Sequence, residues 1–193
     1  KASGVILDTL DVGGGFPSVY PDLSPPPMAA YLQSIIDAFK SSLTNDNCEL
    51  LCEPGRALVA ESASVLTNVT LRKGDNLYIN DGAYGSLFDA SHIGFVYPAR
   101  AIRGGQILKD KTFTPFRLFG PTCDSIDYMP GPFLLPSNIQ AGDYIEIGQL
   151  GAYGDVMRTN FNGFGARQEI IVNDEPMLSL YSDSTAMPRV AEQ

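Results

Sequence analysis

Apolar residues recur along this chain with two different periods, and the change from one to the other falls near residue 62. Val5, Ile6 and Leu7 lead through Leu10 and Val12 into Gly13-Gly14-Gly15, the pattern of a buried strand that ends in a tight loop. After a Pro-rich turn from Ser24 to Pro27, Met28, Tyr31, Leu32, Ile35, Ile36, Phe39 and Leu43 return at helical spacing. Pro27 suits the first turn of that helix. Glu49 to Cys52 predicts a second short strand, closed by Glu53-Pro54-Gly55-Arg56. Strand, helix and strand in this order predict a parallel α/β unit of a sheet or barrel.

Beyond residue 62 the helical period disappears. Val65 to Leu71, Asn76 to Asn80, Phe95 to Arg100, Phe113 to Phe119, Asp143 to Ile147 and Glu169 to Val172 read as strands, with Gly, Pro, Asn and Asp between them. This predicts an all-β domain, a barrel or sandwich. The expected division is therefore residues 1–62 and 63–193, resting on the change of texture alone. A parallel unit that starts at residue 5 and gains one more strand cannot close a barrel or cover both faces of a sheet. The first part is expected to be an incomplete domain, completed by upstream sequence or by another chain.

Composition narrows the function classes. The formal charge of −9 argues against nucleic acid, whose phosphates call for a basic surface. No apolar run approaches membrane-spanning length. Cys48, Cys52 and Cys123 are odd in number, and the first two flank a strand-like stretch, so a secreted disulfide scaffold is not expected and a reducing cytoplasm is. With His92 as the one histidine in the chain, a zinc site is not expected either.

Chemistry-bearing residues cluster in loops. Gly13-Gly14-Gly15 after a strand lets backbone N–H groups approach an anion, although a tight structural turn accounts for the glycines equally well. At Glu53-Pro54-Gly55-Arg56 the Arg can grip a phosphate while Glu53 faces a cofactor ring; a strand-end turn with a surface ion pair is the alternative. Gly120-Pro121-Thr122-Cys123-Asp124-Ser125 sets a thiol beside a carboxylate. Cys123 can deliver a proton or attack as a nucleophile, and Asp124 can pair with a cation, whereas a lone Cys is more often buried and inert. Glycines beside aromatic residues at Asn80 to Asp89, Gly148 to Gly154 and Asn160 to Phe164 either crowd rings around a ligand or mark hairpin turns.

In this order, the segments DVGGGFP (Asp11 to Pro17), CEPGRALVAES (Cys52 to Ser62), NDGAYGSLFD (Asn80 to Asp89), GPTCDSID (Gly120 to Asp127), GAYG (Gly151 to Gly154) and FNGF (Phe161 to Phe164) resemble the fold-type III pyridoxal-phosphate-dependent decarboxylases. That family includes the ornithine, lysine, diaminopimelate and arginine enzymes, and the likeness is nearest to bacterial ornithine or ornithine/lysine decarboxylases. It implies the last βα units of a TIM-type barrel followed by a C-terminal β domain. It also implies pyridoxal 5′-phosphate as cofactor and a homodimer that shares its active sites. Gly13, Gly14, Gly15, Pro54, Gly55, Arg56 and Tyr153 would lie at the cofactor, mostly at its phosphate, and Glu53 would pair with the pyridine nitrogen. Phe161 and Tyr84 would pack beside it. Cys123 would deliver the proton after CO₂ departs, and Asp124, with Asp89 beside Phe88, would hold the distal ammonium of the substrate.

The Cys-Asp-Ser order resembles the ornithine enzymes, so conversion of L-ornithine to putrescine and CO₂ is the expected reaction. Lysine is a plausible second substrate, because one methylene changes selectivity by only ~1–3 kcal/mol. Diaminopimelate is an alternative, and so is a non-catalytic relative resembling antizyme inhibitor. The family's cofactor-bearing lysine lies well upstream of the glycine loop. None of Lys1, Lys40, Lys73, Lys109 and Lys111 stands in that context, so the chain is not expected to be active alone.

Overall fold

A computed structural model describes residues 7–42 and 47–181. Val5, Ile6 and Leu43 lie outside the described residues. The first part contains β1 (Thr9–Asp11), helix α1 (Met28–Ser42) and β2 (Glu49–Leu51). β1 and β2 pair in parallel, Thr9 opposite Glu49 and Asp11 opposite Leu51, as a strand–helix–strand crossover requires. A short helix, α2 (Arg56–Val59), follows at once and continues as a 3₁₀ turn, Ala60–Ser62. α1 has the expected apolar stripe but contributes no buried residue, and Leu32 is 40% exposed.

The second part is mostly β. Its strands are β3 (Val65–Lys73), β4 (Asn76–Ile79), β5 (Ala99–Arg103), β6 (Gln106–Ile107), β7 (Phe113–Phe119), β8 (Tyr128–Pro136) and β9 (Tyr144–Ile147). A short helix, α3 (Phe88–His92), interrupts them. They form one seven-stranded sheet in the order β6-β5-β9-β3-β4-β7-β8, antiparallel except where β4 meets β7. β3 is the spine. Its first half, Val65 to Asn68, pairs with β9, and its second half, from Val69, pairs with β4 across an irregularity at Val69/Leu71.

The two halves share one core, in which Val69, Leu77, Phe116, Phe133, Leu135, Ile145 and Ile147 are each at most 1% exposed. β5 packs on β8 across it. A closed barrel does not form among the described residues: the edges remain β6 and β8.

The strands differ from expectation in three places. β8 was not among the expected strands; it carries Pro130, Gly131 and Pro132 and lies at the sheet edge, where a proline forfeits no ladder bond. β5 begins at Ala99 rather than Phe95, because Phe95 and Tyr97 turn into an aromatic cluster with Tyr20. Glu169 to Val172 forms no strand: its apolar run pairs with none of the described strands, and Ile171 is 98% exposed. No described helix is long and apolar enough to cross a membrane.

Candidate active site

Arg56, at the start of α2, gathers residues from four segments. Its Nη1 donates to the Tyr20 hydroxyl at 2.9 Å and its Nη2 to Asp89 Oδ2 at 3.0 Å. The guanidinium lies between two rings, 4.9 Å from the centroid of Phe95 and 4.8 Å from that of Tyr153. Burial works against its charge, but the bonds to Tyr20 and Asp89 outweigh this and hold it firmly protonated. Burial also pushes the Tyr20 and Tyr97 hydroxyls up, so both stay neutral at ordinary pH. Two donors spent on fixed partners leave this guanidinium pre-aimed rather than free to swing.

The glycine loop and the Glu53 segment meet beside it. The Glu53 N–H donates to the Gly13 carbonyl at 2.9 Å, and the Gly13 N–H to Asp11 Oδ1 at 2.8 Å. Gly13 and Gly15 have φ of 71° and 86°, with open space where a side chain would begin. Tyr153 reaches the same place from the loop after β9. Its hydroxyl stands 3.8 Å from where a Cβ on Gly55 would lie, and its φ of 62° is rare for an aromatic residue. Gly151 makes this possible: its N–H donates to the Ala60 carbonyl at 3.0 Å, and any Cβ there would collide with the Val59 carbonyl.

A second cluster is built from three loops of the β domain. Tyr84 donates to Asp124 Oδ2 at 2.6 Å, and its ring lies 4.4 Å from that of Phe161. The hydrogen bond to Asp124 pushes the Tyr84 hydroxyl up to about 12 and, from the other side, holds the Asp124 carboxyl below the usual range. Cys123 is exposed, with its N–H and its Sγ each 3.3 Å from Asn162 Oδ1.

Two buried carboxylates hold these loops together. Asp127 accepts from the N–H groups of Ala83 and Thr122 and from the Thr122 hydroxyl. Asp81 accepts from the N–H groups of Gly82 and Ser86 through Oδ1, and its Oδ2 takes Nη2 of Arg158 at 2.8 Å. Gly85 and Gly120 are glycines for this reason, since a Cβ at either would overlap the Asp81 or the Asp127 carboxylate.

The structure thus brings Gly13, Gly14, Gly15, Glu53, Pro54, Gly55, Arg56, Tyr153 and Asp89 into one neighbourhood, and Tyr84, Cys123, Asp124 and Phe161 into another. Asp89, expected to share the substrate ammonium with Asp124, is the ion-pair partner of Arg56 in this chain. Phe88 stacks on His92 within α3, ring centroids 4.0 Å apart. Sequence reasoning assigned no role to Tyr20, Phe95, Asp81, Asp127, Arg158 or Asn162. Asp81 and Asp127 carried a local signal, a carboxylate inside a glycine-bearing loop, which is a frequent backbone anchor. Arg158 carried none, since its partner is 77 residues away.

A family model described as the pyridoxal-dependent decarboxylase C-terminal sheet domain matches residues 19–151. The chain is 30% identical to the ornithine decarboxylase of Panagrellus redivivus over 96% of its own length and 46% of that protein's. It also resembles the solved lysine/ornithine decarboxylase of Vibrio vulnificus complexed with cadaverine, at 32% identity and a TM-score of 0.71, covering 90% of this chain and 46% of that one. The diaminopimelate decarboxylase of Helicobacter pylori complexed with L-lysine gives 29% identity and a TM-score of 0.67, covering 83% and 38%. The chain therefore spans less than half the length of these relatives.

Proposed function

Since this chain belongs to the pyridoxal-dependent decarboxylases, with its sheet domain matching theirs, we propose that it is the C-terminal part of an enzyme that decarboxylates a basic amino acid, L-ornithine first, to putrescine and CO₂. Residues 1–62 would then be the last βα units of a TIM-type barrel and residues 63–193 the β domain. The parallel β1–β2 pair and the relatives' greater length support this division. Two copies would associate as a homodimer in the cytoplasm.

The residues around Arg56 fit pyridoxal phosphate. An open glycine loop, a guanidinium held in place and the Tyr153 hydroxyl form a donor set for a phosphate, and Glu53 leaves β2 next to it. When bound, the cofactor supplies a protonated pyridine ring that draws off the electron pair freed as CO₂ leaves. Glu53 would keep that ring nitrogen protonated. Asp124 would hold the distal ammonium, releasing Tyr84 as it does so, and Cys123 would give its proton to the substrate carbon. No described lysine stands with Arg56: Lys40 ends α1, Lys109 and Lys111 follow β6, and Lys73 lies over the Tyr78 ring. The upstream segment is expected to supply the lysine that carries the cofactor.

The observation that carries this reading is the platform on which Asp81 and Asp127 set Cys123 and Asp124 side by side under Tyr84. The test is CO₂ release by the complete enzyme from ornithine, lysine and diaminopimelate. Ornithine is expected to turn over fastest. Asp124→Asn is expected to raise its KM by about 10–100-fold, the worth of a lost charged hydrogen bond. Diaminopimelate as the best substrate would overturn the assignment, and so would a complete protein that releases no CO₂ from any of the three.

A further inference from the structure

We propose that Asn162 is the positioning residue of Cys123, its side-chain carbonyl holding that cysteine as a hydrogen-bond-donating thiol in one orientation. The inference rests on the reading of Cys123 as the proton donor and adds the group that readies it.

Either end of an Asn side chain can face a neighbour, but the Cys123 backbone N–H can only donate, and it lies 3.3 Å from Asn162 Oδ1. The oxygen must therefore be the end that faces Cys123. The same oxygen is 3.3 Å from Sγ. A carbonyl oxygen accepts from S–H, so this contact fixes the rotamer in which the sulfur points at Oδ1.

The backbone at Asn162 shows how the amide reaches that position. With φ 52° and ψ 14° it is left-handed, a conformation that Asn tolerates better than other side-chain-bearing residues, and Gly163 at φ 80° continues the reversal. The turn is closed by the Gly163 N–H on the Asn160 carbonyl at 3.0 Å and the Phe164 N–H on the Phe161 carbonyl at 3.2 Å. It is anchored to the platform through Phe161 on Tyr84 and through the Thr159 N–H on the Tyr84 carbonyl at 2.9 Å. One short turn thus delivers an aromatic wall, Phe161, and a thiol holder, Asn162, in consecutive positions. Asp124 and Asp127, from the same loop as Cys123, act together with Cys123 on the Tyr84 hydroxyl of the facing loop. All of them are present in every variant below, so differences between variants report Asn162.

The test uses the complete protein and two substitutions. Asn162→Gly keeps the left-handed turn and removes the amide; Asn162→Asp keeps an acceptor oxygen. Iodoacetamide labelling of Cys123, followed by the mass of its peptide at one fixed pH without substrate, is expected to run about five-fold faster in the Gly variant, the worth of one ordinary hydrogen bond. In the Asp variant it is expected to be no faster than in the unsubstituted protein. The Gly variant is also expected to lose about ten-fold in kcat with KM for ornithine unchanged, a part of what general acid catalysis contributes. Labelling of the Gly variant at the unsubstituted rate would overturn the role of Asn162. Faster labelling with unchanged kcat would support Asn162 as the holder and instead overturn Cys123 as the proton donor.

Discussion

Residues 7–62 and the β domain have similar apolar content and treat it in opposite ways. In the sheet, Phe116, Phe133, Leu77 and Ile145 are at most 1% exposed, and the two halves of β3 bring every inward face onto one core. In the first region, Leu7 is 52% exposed, Leu51 41% and Leu58 66%, and no residue of α1 is buried. A seven-stranded sheet folded along a shared spine can seal itself. Two strands and one helix cannot, because each has an apolar side and only one neighbour to cover it. Phe16, Ala57 and Ala60 are buried, and Tyr20 goes further: it joins the β core and holds Arg56 there. The cofactor end of the candidate site is thus held by the domain that closes, although its residues come from the region that does not.

The largest effect should come from the sealed side. Phe116→Ala is expected to cost about 3–5 kcal/mol in urea unfolding followed by circular dichroism, because a fully buried ring leaves a cavity. Ile36→Ala on α1 is expected to cost this chain less than about 1 kcal/mol, since little apolar surface is withdrawn there. Repeating Ile36→Ala in a protein that includes the upstream segment sharpens the contrast. A cost that rises to about 2 kcal/mol would mean that this stripe is covered in the complete protein, and equal costs in both would break the reading that the upstream segment completes the first region.

Next comes the buried ion pair under the second cluster. Arg158→Ala leaves Asp81, 7% exposed, with Oδ2 unpaired, and is expected to cost about 3 kcal/mol. Arg158→Lys should recover less than half of that, because a single ammonium cannot replace the fork that serves both Asp81 and the Ser86 hydroxyl. Unfolding midpoints of the three proteins decide it, and an alanine variant as stable as the parent would show that the loops hold without the pair.

What the sequence disclosed follows the same division. The period of α1, the parallel strands around it and four of the β strands were legible because each is a local pattern. The open edge at β8 was not, since prolines signal a turn unless one already knows that the strand has a free side. Glycine loops, Cys123 and Asp124 were legible as chemistry. The pairing of Arg56 with Asp89 was not, because it joins residues 33 apart through a fold rather than a motif. Asn162 was visible only as part of a motif. Its acceptor role depends on a backbone turn that the letters Asn-Gly permit without requiring.

The smallest effect expected is electrostatic and comes from the rim of the sheet. Asp143 is buried and accepts from Arg103 Nε at 2.6 Å, from Arg103 Nη2 at 2.7 Å and from the Gln140 N–H at 2.7 Å. Burial raises its carboxyl, but the Arg103 fork and the Gln140 N–H outweigh this and hold it below the usual range. A carboxyl that is lower in the folded state than in the unfolded chain stabilises the fold fully above the unfolded value, about 4, and that contribution disappears as pH falls through the lowered one. Arg103→Gln should therefore be measurably less stable than the parent at pH 7, by less than Arg158→Ala because Arg103 is 40% exposed. The gap between the two unfolding midpoints should narrow below about pH 4, as Asp143 titrates in both proteins. The first region has no counterpart to this pair on α1, where the one carboxylate bond is the exposed Gln33 amide on Asp37 at 2.8 Å. A gap that stays constant from pH 7 to pH 3 would mean that Arg103 stabilises the sheet by packing its stem rather than by its charge.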